Sequence, residues 1–115
     1  MTQATIDQAT FDELKATAGA EFVSELVGTF LAEAPAMLAD LRSALAAGNA
    51  DAFRRAAHSL KSNSNTFGAL TLGALAKNLE LTGIAPAVEA KGATLDALAA
   101  EYARVASALK ERTRG

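Results

Sequence analysis

Four glycines cut this sequence into five stretches of helical apolar spacing, and that punctuation leaves few folds open. Gly19, Gly48, Gly68 and Gly83 each follow a run in which apolar residues recur at steps of three and four. The first run, Asp7 to Ala18, is short and carries Phe11 and Leu14. The second, Ala20 to Ala47, carries Phe22, Val23, Leu26, Phe30, Met37, Leu38, Leu41 and Leu45. Pro35 lies inside it and predicts a kink or a restart, because proline has no N–H to donate to the preceding turn. The third runs from Asn49 to Phe67. Asn49 suits an N-cap, Asp51 suits the positive end of the helix dipole, and Phe53, Ala56, Ala57, Leu60, Ser64 and Phe67 form its inward stripe. The fourth, Ala69 to Thr82, turns Leu72, Leu75, Ala76 and Leu79 inward. The fifth is expected to begin near Pro86, a residue tolerated in a first helical turn, with Val88, Leu95, Leu98, Tyr102, Val105 and Leu109 inward. Gly92 weakens its first turns, and the tail Arg112–Gly115 is expected to fray.

Composition points the same way. Alanine, the residue that costs least in a helix, recurs throughout, and the β-branched and aromatic runs that strands prefer are missing. No linker, internal repeat or low-complexity tail divides the chain, so residues 1–115 are expected to form one domain. Four long amphipathic helices joined by short turns pack best as an antiparallel bundle, with the short first helix capping one end. The expected fold is therefore all-α, an antiparallel four-helix bundle with a short extra N-terminal helix, and a monomer.

Several function classes drop out. With no cysteine and a single histidine, thiolate zinc sites, iron–sulfur clusters and multi-histidine metal sites within one chain are excluded, and no cofactor is expected. Eleven basic against 13 acidic residues give a net charge of −2, which argues against nucleic acid as the main partner. No apolar run is expected to approach the ~20 residues that a membrane span needs, and the start Met1-Thr2-Gln3-Ala4-Thr5 has no signal-peptide character. The chain reads as cytoplasmic. It has no glycine-rich phosphate loop, no acid–base pair and no oxyanion hole, so independent enzymatic activity is not expected.

On a helical wheel at about 100° per residue, Asp51, Arg54, Arg55, His58, Lys61, Ser62 and Asn65 fall on one side of the third helix, opposite Phe53, Leu60 and Phe67. Such a face is most often merely solvated. Here, however, the only histidine in the chain points to solvent, followed by a cation and small polar residues at steps of three, four and seven. A neutral imidazole nitrogen is a nucleophile at cellular pH, and Lys61 is placed to screen an anionic group attached to the ring.

The run Ala57-His58-Ser59-Leu60-Lys61-Ser62-Asn63-Ser64-Asn65-Thr66-Phe67-Gly68-Ala69, followed by Leu72, Leu75 and Leu79-Glu80, resembles the signature of histidine phosphotransfer (HPt) domains. The resemblance extends over the whole chain in length and helix order. It implies a phosphorelay intermediate. His58 would accept a phosphoryl group, at the outer ring nitrogen, from an aspartyl phosphate on a receiver domain and pass it to another receiver. The implied partners are receiver domains of response regulators and hybrid histidine kinases. Lys61, Ser62, Asn65 and Glu80 would neighbour the phosphoryl group, with Glu80 orienting the imidazole from the next helix. Arg54 and Arg55 would serve docking, and Gly68 would turn the chain. Many members have glycine where this chain has Ser62. Two other readings compete: a helical interaction module without phosphoryl chemistry, and an enzyme such as a phosphohistidine phosphatase.

Overall fold

Each glycine boundary becomes a helix end. The structure is a computed structural model that describes residues 5–84 and 88–113, with the backbone alone for residues 88–91. Its helices are α1 (Gln8–Ala18), α2 (Ala20–Ala47), α3 (Ala50–Thr66), α4 (Leu70–Thr82) and α5 (Val88–Thr113), and no strand occurs among the described residues. α2 and α4 each pack against both α3 and α5, which closes a four-helix ring, and α1 lies across α2 and α3. This is the expected bundle with a short N-terminal helix. The predicted start near Pro86 and the inward placing of Val88 lie outside the described residues.

The caps follow from local chemistry. The Asp7 carboxylate accepts from the Thr10 N–H at 3.1 Å and from the Thr10 hydroxyl, and these bonds hold its pKa below the usual carboxylate range. The Asn49 side chain accepts from the Ala52 N–H at 3.1 Å. Gly48 adopts a left-handed conformation at the end of α2, and the Asn49 N–H reaches back to the Ala44 carbonyl at 2.9 Å.

The core is the set of inward stripes. Val23, Val27, Phe30, Ala34, Leu41 and Ala44 of α2 meet Phe53, Ala57, Leu60 and Ser64 of α3, with Leu72, Ala76 and Leu79 of α4 and Leu98, Val105 and Leu109 of α5. Phe30 meets Phe67 in a tilted arrangement at 5.5 Å and Tyr102 edge-on at 6.0 Å, so one ring ties α2 to the end of α3 and to α5.

Four expectations need correction. Phe22, expected inward, is 52% exposed, because it stands about 100° around the helix from Val23, where the buried stripe begins. Of the kink or restart expected at Pro35, the restart does not occur: α2 runs through it as one helix. Proline leaves the Leu31 carbonyl without its usual donor four residues on, and the Tyr102 hydroxyl approaches that carbonyl at 3.5 Å. α2 also contains a window of 18 residues with mean hydropathy 1.3, long and apolar enough by length and composition to cross a membrane. Its Val, Leu, Phe and Met side chains supply most of that hydropathy, and they are spaced for a helical core. Finally, Arg112 is held where fraying was expected: its Nε donates to Gln8 Oε1 at 3.0 Å and its Nη1 to the Ala108 carbonyl at 3.1 Å.

The α3–α4 turn is packed tightly against the start of α1. Gly68 has φ of +82° and is buried, and its carbonyl accepts the Asp7 N–H at 2.7 Å. A Cβ there would stand 2.8 Å from the Asp7 carbonyl oxygen and 3.0 Å from Thr10 Cβ. Gly48, with φ of +70°, has nothing within 4 Å of such a Cβ. Alanine at either position is expected to cost roughly 1–2 kcal/mol for the left-handed backbone. Gly68→Ala should cost about 1 kcal/mol or more beyond that, for the overpacking. Urea unfolding of the two variants checks this, and equal losses would show that α1 does not press on the turn.

Candidate functional site

The face of α3 opposite the core is set by the buried stripe. With Phe53, Ala57, Leu60 and Ser64 buried, helical geometry turns residues 51, 54, 55, 58, 62 and 65 outward. Asp51, Arg54, Arg55, His58, Ser62 and Asn65 are all exposed, and Lys61 is half-buried at the α4 side.

α4 brings Glu80 to this face. Leu79 is buried, and its neighbour Glu80 lies at the seam between α4 and α3. His58 Nδ1 and Glu80 Oε2 are 2.7 Å apart, and Lys61 Nζ and Glu80 Oε1 are also 2.7 Å apart. Thus a single carboxylate, 18% exposed, bridges two side chains of α3 that sit one turn apart. The Lys61 hydrogen bond, followed by the His58 bond, holds Glu80 below the usual carboxylate range, against a smaller opposing effect of burial.

This geometry fixes the chemistry of the ring. An ionised carboxylate only accepts, so the hydrogen bond at Nδ1 requires a proton there. In a neutral imidazole that leaves Nε2 with the lone pair. The imidazole is 58% exposed while Nδ1 is engaged with Glu80, so Nε2 is the free nucleophile of an oriented ring. No group of three or more metal-ligating side chains occurs among the described residues.

The remaining site residues are placed differently from one another. Lys61 reaches Glu80 and so stands beside His58. Ser62 is exposed one turn beyond the ring. Asn65 is not brought to the imidazole: it lies nearly two turns away, about 10 Å along the helix, and its carboxamide rests against Gly73 of α4. Arg54 pairs with Asp51 at 2.7 Å on the exposed face. Arg55 lines a groove between α2 and α3 together with Met37, Asp40, Ala52 and Ser59. Gly68 forms the turn after α3. The sequence reading did not foresee that Lys61 and His58 share one carboxylate, nor did it single out Gly73. A glycine inside an otherwise regular helical run was the available signal.

The Hpt domain family model matches residues 25–108. Among solved structures, the crystal structure of histidine-containing phosphotransfer protein B (HptB) from Pseudomonas aeruginosa PAO1 is similar to this chain. The TM-score is 0.83 and the identity 26%, over 97% of this chain and 96% of that one. No curated protein matches.

The shared carboxylate has a measurable signature. Because the folded pKa of Glu80 is depressed, the bridge is complete above the ordinary glutamate range and is lost as pH falls through the lower, folded value. Carbon NMR titration of the Glu80 carboxyl should give a midpoint below that of an unfolded glutamate. Lys61→Ala should raise it more than His58→Gln does. A midpoint that Lys61→Ala leaves in place would contradict the bridge.

Proposed function

Since this chain belongs to the Hpt domain family, we propose that it is a phosphorelay carrier, accepting a phosphoryl group on His58 from a receiver-domain aspartate and returning it to another receiver. The observation that carries the proposal is the single-sided engagement of the ring, with Nδ1 held by Glu80 at 2.7 Å and Nε2 left free on an exposed face. HptB, similar over nearly its whole length, is by its name a histidine-containing phosphotransfer protein.

In the proposed step, Nε2 attacks the phosphorus of the aspartyl phosphate. A P–N bond forms, the P–O bond to the aspartate breaks, and the electron pair leaves with the carboxylate. The ring keeps its Nδ1 proton and gains positive character, which the Glu80 carboxylate offsets through the same hydrogen bond. Lys61, which shares Glu80 with His58, offsets the added phosphoryl charge. Transfer onward is the reverse of these steps. The receiver supplies its own active-site groups, so the carrier contributes position, orientation and access and has no kinase activity of its own. Arg55 and Arg54, exposed one turn before His58 on α3, favour encounter with acidic receiver sites. The carrier acts as a cytoplasmic monomer and needs no metal or cofactor.

Phosphorylated receivers test this directly. His58→Gln should abolish labelling, while its melting curve stays close to the parent's, because the imidazole is exposed. The adduct of the parent should be acid-labile and base-stable, as a P–N bond is. Lys61→Ala should slow transfer by about fivefold, matching a loss of ~1 kcal/mol for a partly exposed charge near the phosphoryl group. Full labelling of His58→Gln would defeat the proposal.

Ser62 supplies a second test, since phosphoryl transfer depends on close approach of the two reacting groups. Ser62→Leu and Ser62→Arg are expected to fold normally and to lose transfer by roughly tenfold or more. Ser62→Gly should transfer at least as well as the parent, at a helix cost of about 0.5 kcal/mol. Equal transfer rates for all three variants would show that position 62 is only surface.

A further inference from the structure

Gly73 stands out in α4. Glycine is a poor helix former, yet this one sits inside α4 and is buried. It is not there for unusual backbone geometry, since positive φ among the described residues is confined to Gly19, Gly48, Gly68 and Gly83. Its missing side chain is the better explanation. A Cβ at position 73 would overlap Asn65 Oδ1 and would stand 2.8 Å from Asn65 Cγ and 3.3 Å from Nδ2. At Gly28 and Gly92, the other helical glycines, such an atom would meet nothing within 4 Å.

The glycine therefore opens a notch in α4, and the carboxamide of Asn65 from α3 fills it. Asn65 lies on the same stripe of α3 as His58, about 20° around the helix, with Ser62 between them along the axis. Helical side chains have few χ1 choices and lean back toward the preceding turn. If the notch were filled, the carboxamide would be driven off α4 and out over the face that carries Ser62 and His58.

We propose that Gly73 is a positioning residue for receiver docking: it keeps the Asn65 carboxamide folded against α4 and clear of the path to His58. The inference rests on the phosphotransfer reading above and adds a residue that touches neither the ring nor the phosphoryl group. The occupant of the cleared face is the receiver domain, whose aspartate must come to within bonding distance of Nε2.

The test compares two phosphoryl donors on the parent, on Gly73→Ala and on the double variant Gly73→Ala/Asn65→Ala. One donor is a phosphorylated receiver. The other is phosphoramidate, a small donor that needs no docking face and whose own P–N bond breaks with loss of ammonia. Gly73→Ala should take phosphoryl from the receiver roughly tenfold more slowly, with the loss in the receiver concentration that gives half-maximal rate. Phosphoramidate should label it at the parental rate. Adding Asn65→Ala should restore transfer from the receiver, because the shorter side chain leaves the face clear. A parental receiver rate for Gly73→Ala, or a double variant as slow as the single one, overturns the inference. A parent labelled by phosphoramidate but by no receiver overturns the phosphorelay reading itself.

Discussion

The site is organised by one carboxylate. Glu80 lies only 18% exposed at the α3–α4 seam, where an unpaired charge would be poorly solvated, and it is satisfied by two donors from the facing helix. This pairing works in both directions. His58 and Lys61 make the position tolerable for an anion, and the anion selects the ring's tautomer and restrains the ammonium. None of the three groups does this alone. Their meeting depends on the register between α3 and α4, which the buried turn at Gly68 sets.

The rest of the bundle holds that register. α3 is divided lengthwise, with Phe53, Ala57, Leu60 and Ser64 sealed in the core and the reactive stripe on the opposite side. His58 directly follows a fully buried alanine, so it cannot turn inward without dismantling the packing on both sides. Phe30 adds a lateral brace by touching Phe67 and Tyr102 at once. Glu101 is a further charge inside this frame. It is 5% exposed, and its Oε1 accepts from Arg104 Nε at 2.8 Å and from Arg104 Nη2 at 2.7 Å, so the guanidinium neutralises the charge from the same helix.

Much of this could be read before any coordinates. Periodicity and glycine stops placed all five helices, because both signals are local to the chain. Asn49 shows its capping role in the sequence for the same reason, whereas Asp7 was read only as the start of the first run. His58 was legible because a helical wheel turns it away from Phe53 and Leu60, and Glu80 because the Leu-Glu pair carries the family resemblance. What escaped depends on neighbours from other elements. Phe22 has the right chemistry for the core, but it stands 52% exposed at the edge of the buried stripe. Glu101 has the wrong chemistry and is buried by its surroundings. Gly73 means nothing until Asn65 is seen beside it. Lys61 is read correctly as a cation near the ring, yet its partner lies 19 residues further on, across a turn.

Pro35 and Tyr102 show what such a cross-helix dependence entails. The hydroxyl of Tyr102 approaches the carbonyl of Leu31, the group that Pro35 leaves without its ordinary donor. Each residue is therefore conditional on the other. With proline at position 35, the phenol is a substitute for a backbone amide. With any other residue there, the amide returns, the carbonyl is filled from within α2, and only the ring of Tyr102 has work left to do. The two positions, far apart in the chain and on different helices, are expected to be non-additive in their effect on stability. In an evolving lineage, the freedom of one to drift is set by the current state of the other.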